Sequence, residues 1–112
     1  MEEDAVKYIE KNYPQTAGAF KAFQHDQYIL FCKKQKDYGS GNITLGGDIE
    51  KEDDMKFALQ GLIIRMSDKM NRMLNLIRKQ LTPENEPLED AFMDISIYGI
   101  IARIVKDGFW GK

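Results

Sequence analysis

Apolar residues recur at helical spacing over the first third of the chain. The pattern over residues 3–12 predicts a short helix that ends before Pro14, because proline disfavours helical backbone at the residue before it. A second helix is predicted from Thr16, which can cap it, to about Lys34. Its apolar residues lie on one face, which we expect to be buried: Phe20, Phe23, Leu30 and Phe31.

The longest helix is predicted between about Asp54 and Gln80. Its apolar residues alternate steps of three and four, which is typical of an amphipathic helix: Leu59, Leu62, Met66, Met70, Met73 and Ile77. A break follows from Thr82 to Pro87.

A last helix is predicted from about Leu88 to Lys106, with Asp107-Gly108 as its stop. It is apolar almost all round from Ile95 to Val105, so we expect it inside a bundle or an oligomer interface.

Residues 36–53 have four glycines and no helical period, which predicts one long glycine-rich loop. Within it, the segment ITLGGDI suggests a minimal hairpin through Gly46-Gly47. The pattern as a whole predicts a single all-α domain over residues 1–112, a small bundle of about four helices. The apolar surplus of the last two helices predicts a homo-oligomer held by those helices.

Composition excludes several classes of protein. Sixteen basic and 18 acidic residues give a net charge of −2, so no direct nucleic-acid binding is expected and any phosphate binding must come from a local cluster. A single cysteine, Cys32, excludes an intrachain disulfide and indicates a reducing cytoplasm. No apolar stretch has the length of a membrane span, so no membrane partner is expected.

The long helix carries a cationic group in the segment GLIIRMSDKMNRML. Arg65, Asp68, Lys69 and Arg72 fall within an arc of about 100°. A solvated face with ordinary i,i+4 neighbours is one interpretation. The other is an anion site, because three cations surround one carboxylate and the planar fork of arginine suits phosphate.

The last helix carries acids in PLEDAFMDISIYG. Acids in a first helical turn are favoured by the helix dipole, which accounts for Glu89 and Asp90. Asp94 lies in the second turn, before an apolar run, and shares a face with Asp90 and Tyr98. An unpaired carboxylate in such surroundings is costly, so we expect the cations of the long helix to face it.

A third polar group, Lys36, Asp37, Tyr38 and Gly39, opens the predicted loop. Lysines near a helix end complement the dipole. The alternative interpretation is that lysine and tyrosine beside open backbone amides seat a phosphate and stack a base.

Together, KDYG, RMSDKMNRMLNL and PLEDAFMDISIYGIIARI resemble the phage and prophage "nucleotide modification associated" domain, the first family of that name. The likeness covers roughly residues 30–105 and departs at Ser96-Ile97, where many members have alanine and asparagine. The chain is more distantly similar to MazG-like all-α nucleoside triphosphate pyrophosphohydrolases, but it has cations where those enzymes have their first acidic pair.

Three functions follow as expectations. The first is a phage-type protein that binds a phosphate-bearing nucleotide or nucleotide-derived small molecule without hydrolysis and without a cofactor, to sequester a host immune signal or serve nucleotide or DNA modification. Its ligand-binding residues would be Lys36, Asp37, Tyr38, Arg65, Asp68, Lys69, Arg72, Asp90, Asp94 and Tyr98. The second is a divergent pyrophosphohydrolase with Mg²⁺ at Glu89, Asp90 and Asp94. The third is a structural helical oligomer with no ligand.

Overall fold

The chain is entirely helical in the computed structural model, which describes residues 1–112. Five helices hold 77% of the residues, and there are no strands. The helices are α1 (Glu2–Asn12), α2 (Pro14–Tyr38), α3 (Gly41–Thr44), α4 (Glu52–Arg78) and α5 (Leu88–Lys106). The predicted all-α class is confirmed. The one helix beyond the four predicted is the four-residue α3. None of the five combines the length and apolar character that a membrane crossing requires.

The predicted loop over residues 36–53 is wrong in its extent, and the predicted hairpin is wrong. The helix α2 continues to Tyr38, α3 occupies Gly41–Thr44, and Leu45 and Gly46 take left-handed backbone that ends α3. The amide of Gly47 donates to the Thr44 carbonyl, and a Cβ at position 47 would lie only 3.1 Å from Asp54 Cβ, a tight contact. The short helix prevails because it brings Ile43, which is 2% exposed, into the core.

The chain divides into two compact units, residues 1–36 and residues 37–112, which we call the N-terminal and C-terminal units. In the C-terminal unit α4 packs on α5 and α3 packs on α4. Its core consists of Ile43, Ala58, Leu62, Met73, Ala91, Ile97, Ile101, Val105 and Trp110. The Trp110 indole N–H donates to the Ser40 carbonyl at 3.1 Å, so the end of the chain closes this core beside α3.

The helix α5 matches its predicted bounds, and its end follows the predicted signal. Asp107 is the C-cap, and Gly108 has a φ of +83°, a left-handed backbone that suits glycine. The α4 stripe is covered at Leu62 and Met73, whereas Met70 and Ile77 are exposed.

The N-terminal unit has no apolar core. The helix α1 has no buried residue, and within α2 only Gln27 is buried. The prediction of a buried face on α2 is therefore wrong for Phe20 and Phe23, which are 65% and 63% exposed, whereas Leu30 and Phe31 are half-buried. The spacing of apolar residues defines a face but does not supply the surface that covers it.

The helices α1 and α2 meet at a bend. In one straight helix, Glu10 and Lys21 would lie about 16.5 Å apart along the axis, further than the two extended side chains reach together. Lys21 Nζ nevertheless lies 2.8 Å from Glu10 Oε1. Tyr13, with φ −135° and ψ 62°, leaves the helical region just before Pro14 and provides the bend.

Candidate functional site

Lys69 on α4 is paired with two carboxylates. Its Nζ lies 3.0 Å from Asp94 Oδ2 on α5 and 3.0 Å from Glu86 Oε2, in the segment before α5. The Lys69 and Asp94 side chains are only 23% and 12% exposed, whereas Glu86 is half exposed. The prediction that a cation of the long helix faces Asp94 is confirmed by this pair.

The pKa of Lys69 is raised above its ordinary value of 10.5, mainly by the hydrogen bond to Glu86. Partial burial acts in the opposite direction, and the hydrogen bond and charge of Asp94 raise the pKa further. Lys69 is therefore a cation at neutral pH and holds both carboxylates in place.

Arg72 lies one turn further along α4 and has one satisfied and one unsatisfied nitrogen. Its Nη2 donates to the backbone carbonyl of Glu86. Its Nη1 is buried and has no hydrogen-bond partner. A buried donor without an acceptor typically costs about 1–3 kcal/mol, and more when it is charged, so a turn of the half-buried Arg72 side chain that brings this nitrogen to an external acceptor would be favourable.

Arg65 lies one turn before Lys69 and reaches a different part of the unit. Its Nη2 donates to the Asn42 carbonyl at 2.7 Å, which ties α4 to α3. The three cations of α4 therefore lie along one side of the helix, as predicted, but each has its own acceptors. Arg65, Lys69, Arg72, Glu86 and Asp94 together form what we call the charged cluster.

The other predicted site residues do not join these contacts. Asp68, Glu89 and Asp90 are exposed, and Tyr98 is half-buried. Lys36, Asp37 and Tyr38 form the last turn of α2, where all three are exposed.

The acids of α5 do not form a metal-binding group. No set of three or more His, Cys, Asp or Glu side chains is arranged to hold a metal ion. Of the alternative ligands Glu89, Asp90 and Asp94, the last is ion-paired with Lys69. A metal ion at Asp94 would have to share this carboxylate with the Lys69 ammonium, which lies 3.0 Å from Oδ2.

Sequence reasoning missed two contributors to the charged cluster. Glu86 lies in the predicted break, and its side chain and its carbonyl bind different cations. Asn42 accepts a hydrogen bond from Arg65 through its backbone carbonyl, and every residue type has such a carbonyl, so the sequence could not single it out. The only available signal was an acid directly before Pro87, two residues ahead of α5.

Comparison with known proteins found no match. No family model, curated protein or solved structure matches this chain. The resemblance described above therefore stays a hypothesis carried by the sequence motifs. Of those motifs, the structure brings together Lys69 of α4 and Asp94 of α5.

Proposed function

We propose that the chain binds a phosphate-bearing nucleotide or nucleotide-derived small molecule at the charged cluster, without hydrolysing it. The observation that supports this most directly is the buried Arg72 Nη1, a charged donor that has no acceptor within the chain. A phosphate oxygen provides a strong anionic acceptor for such a donor.

The charge balance of the cluster supports an anionic ligand. Three cations, Arg65, Lys69 and Arg72, stand against two carboxylates, Glu86 and Asp94, and Arg65 is bound by a neutral carbonyl. Among these contacts the cations outnumber the carboxylates by one, and Asp68, on the same arc of α4, is exposed and lies outside them.

The proposal assigns roles to three of the predicted residues. Asp94 orients Lys69, Asp90 accepts hydrogen bonds from a base or ribose, and Tyr98 offers an aromatic face. Hydrolysis is left out because Lys69 holds Asp94, the acid that a Mg²⁺ site on α5 would need. In a phage setting, binding without turnover suits sequestration of a host immune nucleotide signal in the cytoplasm, or supply to a nucleotide-modifying pathway.

Native mass spectrometry of the purified protein, soaked in a nucleotide-rich cell extract, tests the proposal. A retained small molecule is the expected result, and its mass identifies the ligand. The identified compound is then titrated by calorimetry against wild type and Arg72→Ala. We expect Arg72→Ala to weaken binding by about 1.5–3 kcal/mol, the usual value of a charge-assisted hydrogen bond.

Arg78→Ala is the matched control, because Arg78 is an exposed arginine at the end of the same helix. It should bind as wild type does. Lys69→Ala is a poorer test, since it would leave Asp94 without its cation and so change stability as well. Equal binding by wild type and Arg72→Ala would refute the role of this cluster.

The divergent pyrophosphohydrolase is the competing function, and divalent ions distinguish it. Binding by arginine and lysine should survive EDTA almost unchanged. Release of pyrophosphate from a nucleoside triphosphate with Mg²⁺, lost in Asp94→Asn, would establish the hydrolase instead.

A homo-oligomer held by α4 and α5 is a separate part of the proposal. Exposed apolar side chains on these helices favour it, among them Ile63, Ile64 and Ile100, each more than half exposed. Sedimentation at tens of micromolar should give a mass above one chain, and Ile64→Glu should lower it. A wild-type monomer at that concentration would exclude the oligomer.

A further inference from the structure

Lys69 holds one buried and one exposed carboxylate at the same distance. Its Nζ lies 3.0 Å from Asp94 Oδ2 and 3.0 Å from Glu86 Oε2, but the Asp94 side chain is 12% exposed and the Glu86 side chain is 53% exposed. An exposed ion pair usually contributes little, because water solvates both charges when they separate. Separating a buried carboxylate from its cation costs far more. Glu86 is therefore the exchangeable partner of Lys69, and Asp94 is the fixed one.

The Glu86 carboxylate lies where an incoming anion would meet Lys69. Of the two carboxylate positions around the ammonium, that of Glu86 is the one open to solvent. Its hydrogen bond contributes most to the raised pKa of Lys69, ahead of that of Asp94. Lys69 therefore already holds an anion at the position that a ligand from solvent would reach.

The main chain of Glu86 is held separately from its side chain. The backbone carbonyl accepts a hydrogen bond from Arg72 Nη2, and Pro87 restricts the backbone of the residue before it. The carboxylate is bound by Lys69. Rotation about the side-chain bonds of Glu86 can therefore release Lys69 while the path of the chain stays unchanged.

We propose that Glu86 is an internal competitor of the ligand: its carboxylate occupies the position on Lys69 that a phosphate oxygen of the ligand takes, and binding displaces it. This inference rests on the proposed function of the charged cluster and adds the residue that regulates entry to it. Asp94 stays in place and keeps Lys69 oriented.

An internal carboxylate favours phosphate compounds over simple carboxylates as ligands. Glu86 is tethered beside Lys69 and so competes at a high effective concentration. A free monocarboxylate offers Lys69 only the group that Glu86 already supplies. A phosphate has further oxygens for Arg72, whose Nη1 has no acceptor within the chain. Acetate should therefore not bind measurably to the wild-type protein, whereas inorganic phosphate should.

Titration of the full chain with inorganic phosphate tests the displacement, with sodium chloride keeping the ionic strength constant. The backbone amide NMR signals of Glu86 and Leu88 report binding. Glu86→Gln removes the charge but keeps the side-chain length and the carbonyl that Arg72 binds. We expect it to lower the dissociation constant for phosphate about three- to fivefold, because an exposed ion pair no longer has to be broken.

Glu84→Gln is the matched control for net charge, because Glu84 is an exposed acid in the same segment. Its dissociation constant for phosphate should equal that of wild type. A direct readout of the displacement is the side-chain carboxyl ¹³C signal of Glu86 in the wild-type protein. That signal should move as phosphate is added, while the corresponding signal of Glu84 stays in place.

Three outcomes would overturn the displacement and leave phosphate binding itself intact. They are equal affinity in wild type and Glu86→Gln, an equal gain in Glu84→Gln, and a Glu86 carboxyl signal that does not move at phosphate saturation. Binding by Glu86→Gln together with no measurable binding by wild type would support the displacement. If phosphate moves neither amide in either protein, the proposed function fails together with this inference.

Discussion

The α4–α5 pair and the α1–α2 pair carry apolar stripes of similar spacing, but only the first buries its stripe within the chain. Leu62 on α4 is 1% exposed, whereas Phe20 on α2 is 65% exposed. In α4–α5 the stripes meet each other and α3, and the polar side of the interface holds the Lys69–Asp94 pair. The comparison shows that the spacing of apolar residues identifies the face of a helix that favours burial. Which surface packs against that face depends on the rest of the chain.

The largest expected effect comes from removing a covered residue of the C-terminal unit. Leu62→Ala should lower its free energy of unfolding by about 2–5 kcal/mol, because it leaves a cavity in a packed core. Phe20→Ala should change it by less than about 0.5 kcal/mol in dilute solution. Urea unfolding followed by Trp110 fluorescence measures both. Equal losses would show that Phe20 is buried within the chain after all.

The next largest effect concerns the charged pair in the C-terminal unit. Asp94→Asn should lower the free energy of unfolding by about 1–3 kcal/mol, since Lys69 then keeps only the half-exposed Glu86. Glu52→Gln is the control, because it breaks the exposed Glu52–Lys56 pair and should cost less than about 0.5 kcal/mol. Chemical denaturation compares them, and equal costs would mean that the Lys69 pair is no more than a surface contact.

Alkaline pH provides a weaker test of the same pair. The pKa of Lys69 is raised in the folded protein, so the folded state holds this proton more tightly than the unfolded chain. Its stabilisation is therefore complete below pH 10.5 and is lost as the pH rises above that value. Melting temperatures of wild type and Lys69→Met should converge with rising alkalinity. A constant difference up to pH 11.5 would contradict the assignment.

The smallest expected effect comes from glycine substitutions, which change the stability of one unit at a time. Gly18 lies within α2 with open space around it, so Gly18→Ala should stabilise α2 by about 0.5–1 kcal/mol, measured by amide hydrogen exchange. Trp110 fluorescence should not report this change. Gly108→Ala is the counterpart in the C-terminal unit, where left-handed backbone makes a side chain cost about 1–2 kcal/mol. A response of Trp110 to Gly18→Ala would show that the units unfold together.

Features with a local cause could be predicted from the sequence. The bounds of α5 follow from Pro87 before it and Asp107-Gly108 after it, which set its ends without reference to the rest of the chain. The Lys69–Asp94 pair could be predicted because a carboxylate on an apolar helix demands a cation, and α4 offers only a few.

Features that depend on the path of the chain could not be predicted. The acceptors of Arg65 and Arg72 are backbone carbonyls of Asn42 and Glu86, and every residue has such a carbonyl. The helix α3 is one turn long, too short to show a period, and it forms because Ile43 finds a place in the core. The exposure of Phe23 could not be predicted for the same reason, because the sequence of α2 does not show whether another part of the chain packs against it.

The contact of Trp110 with Ser40 also sets an order of events during synthesis. These residues are 70 positions apart, so the core of the C-terminal unit stays open until almost all of its sequence has left the ribosome. The helices α1 and α2 need only hydrogen bonds between near neighbours and can form much earlier. A nascent chain therefore exposes the apolar side chains of α1 and α2, such as Phe20 and Phe23, before it has completed the unit that holds the charged cluster.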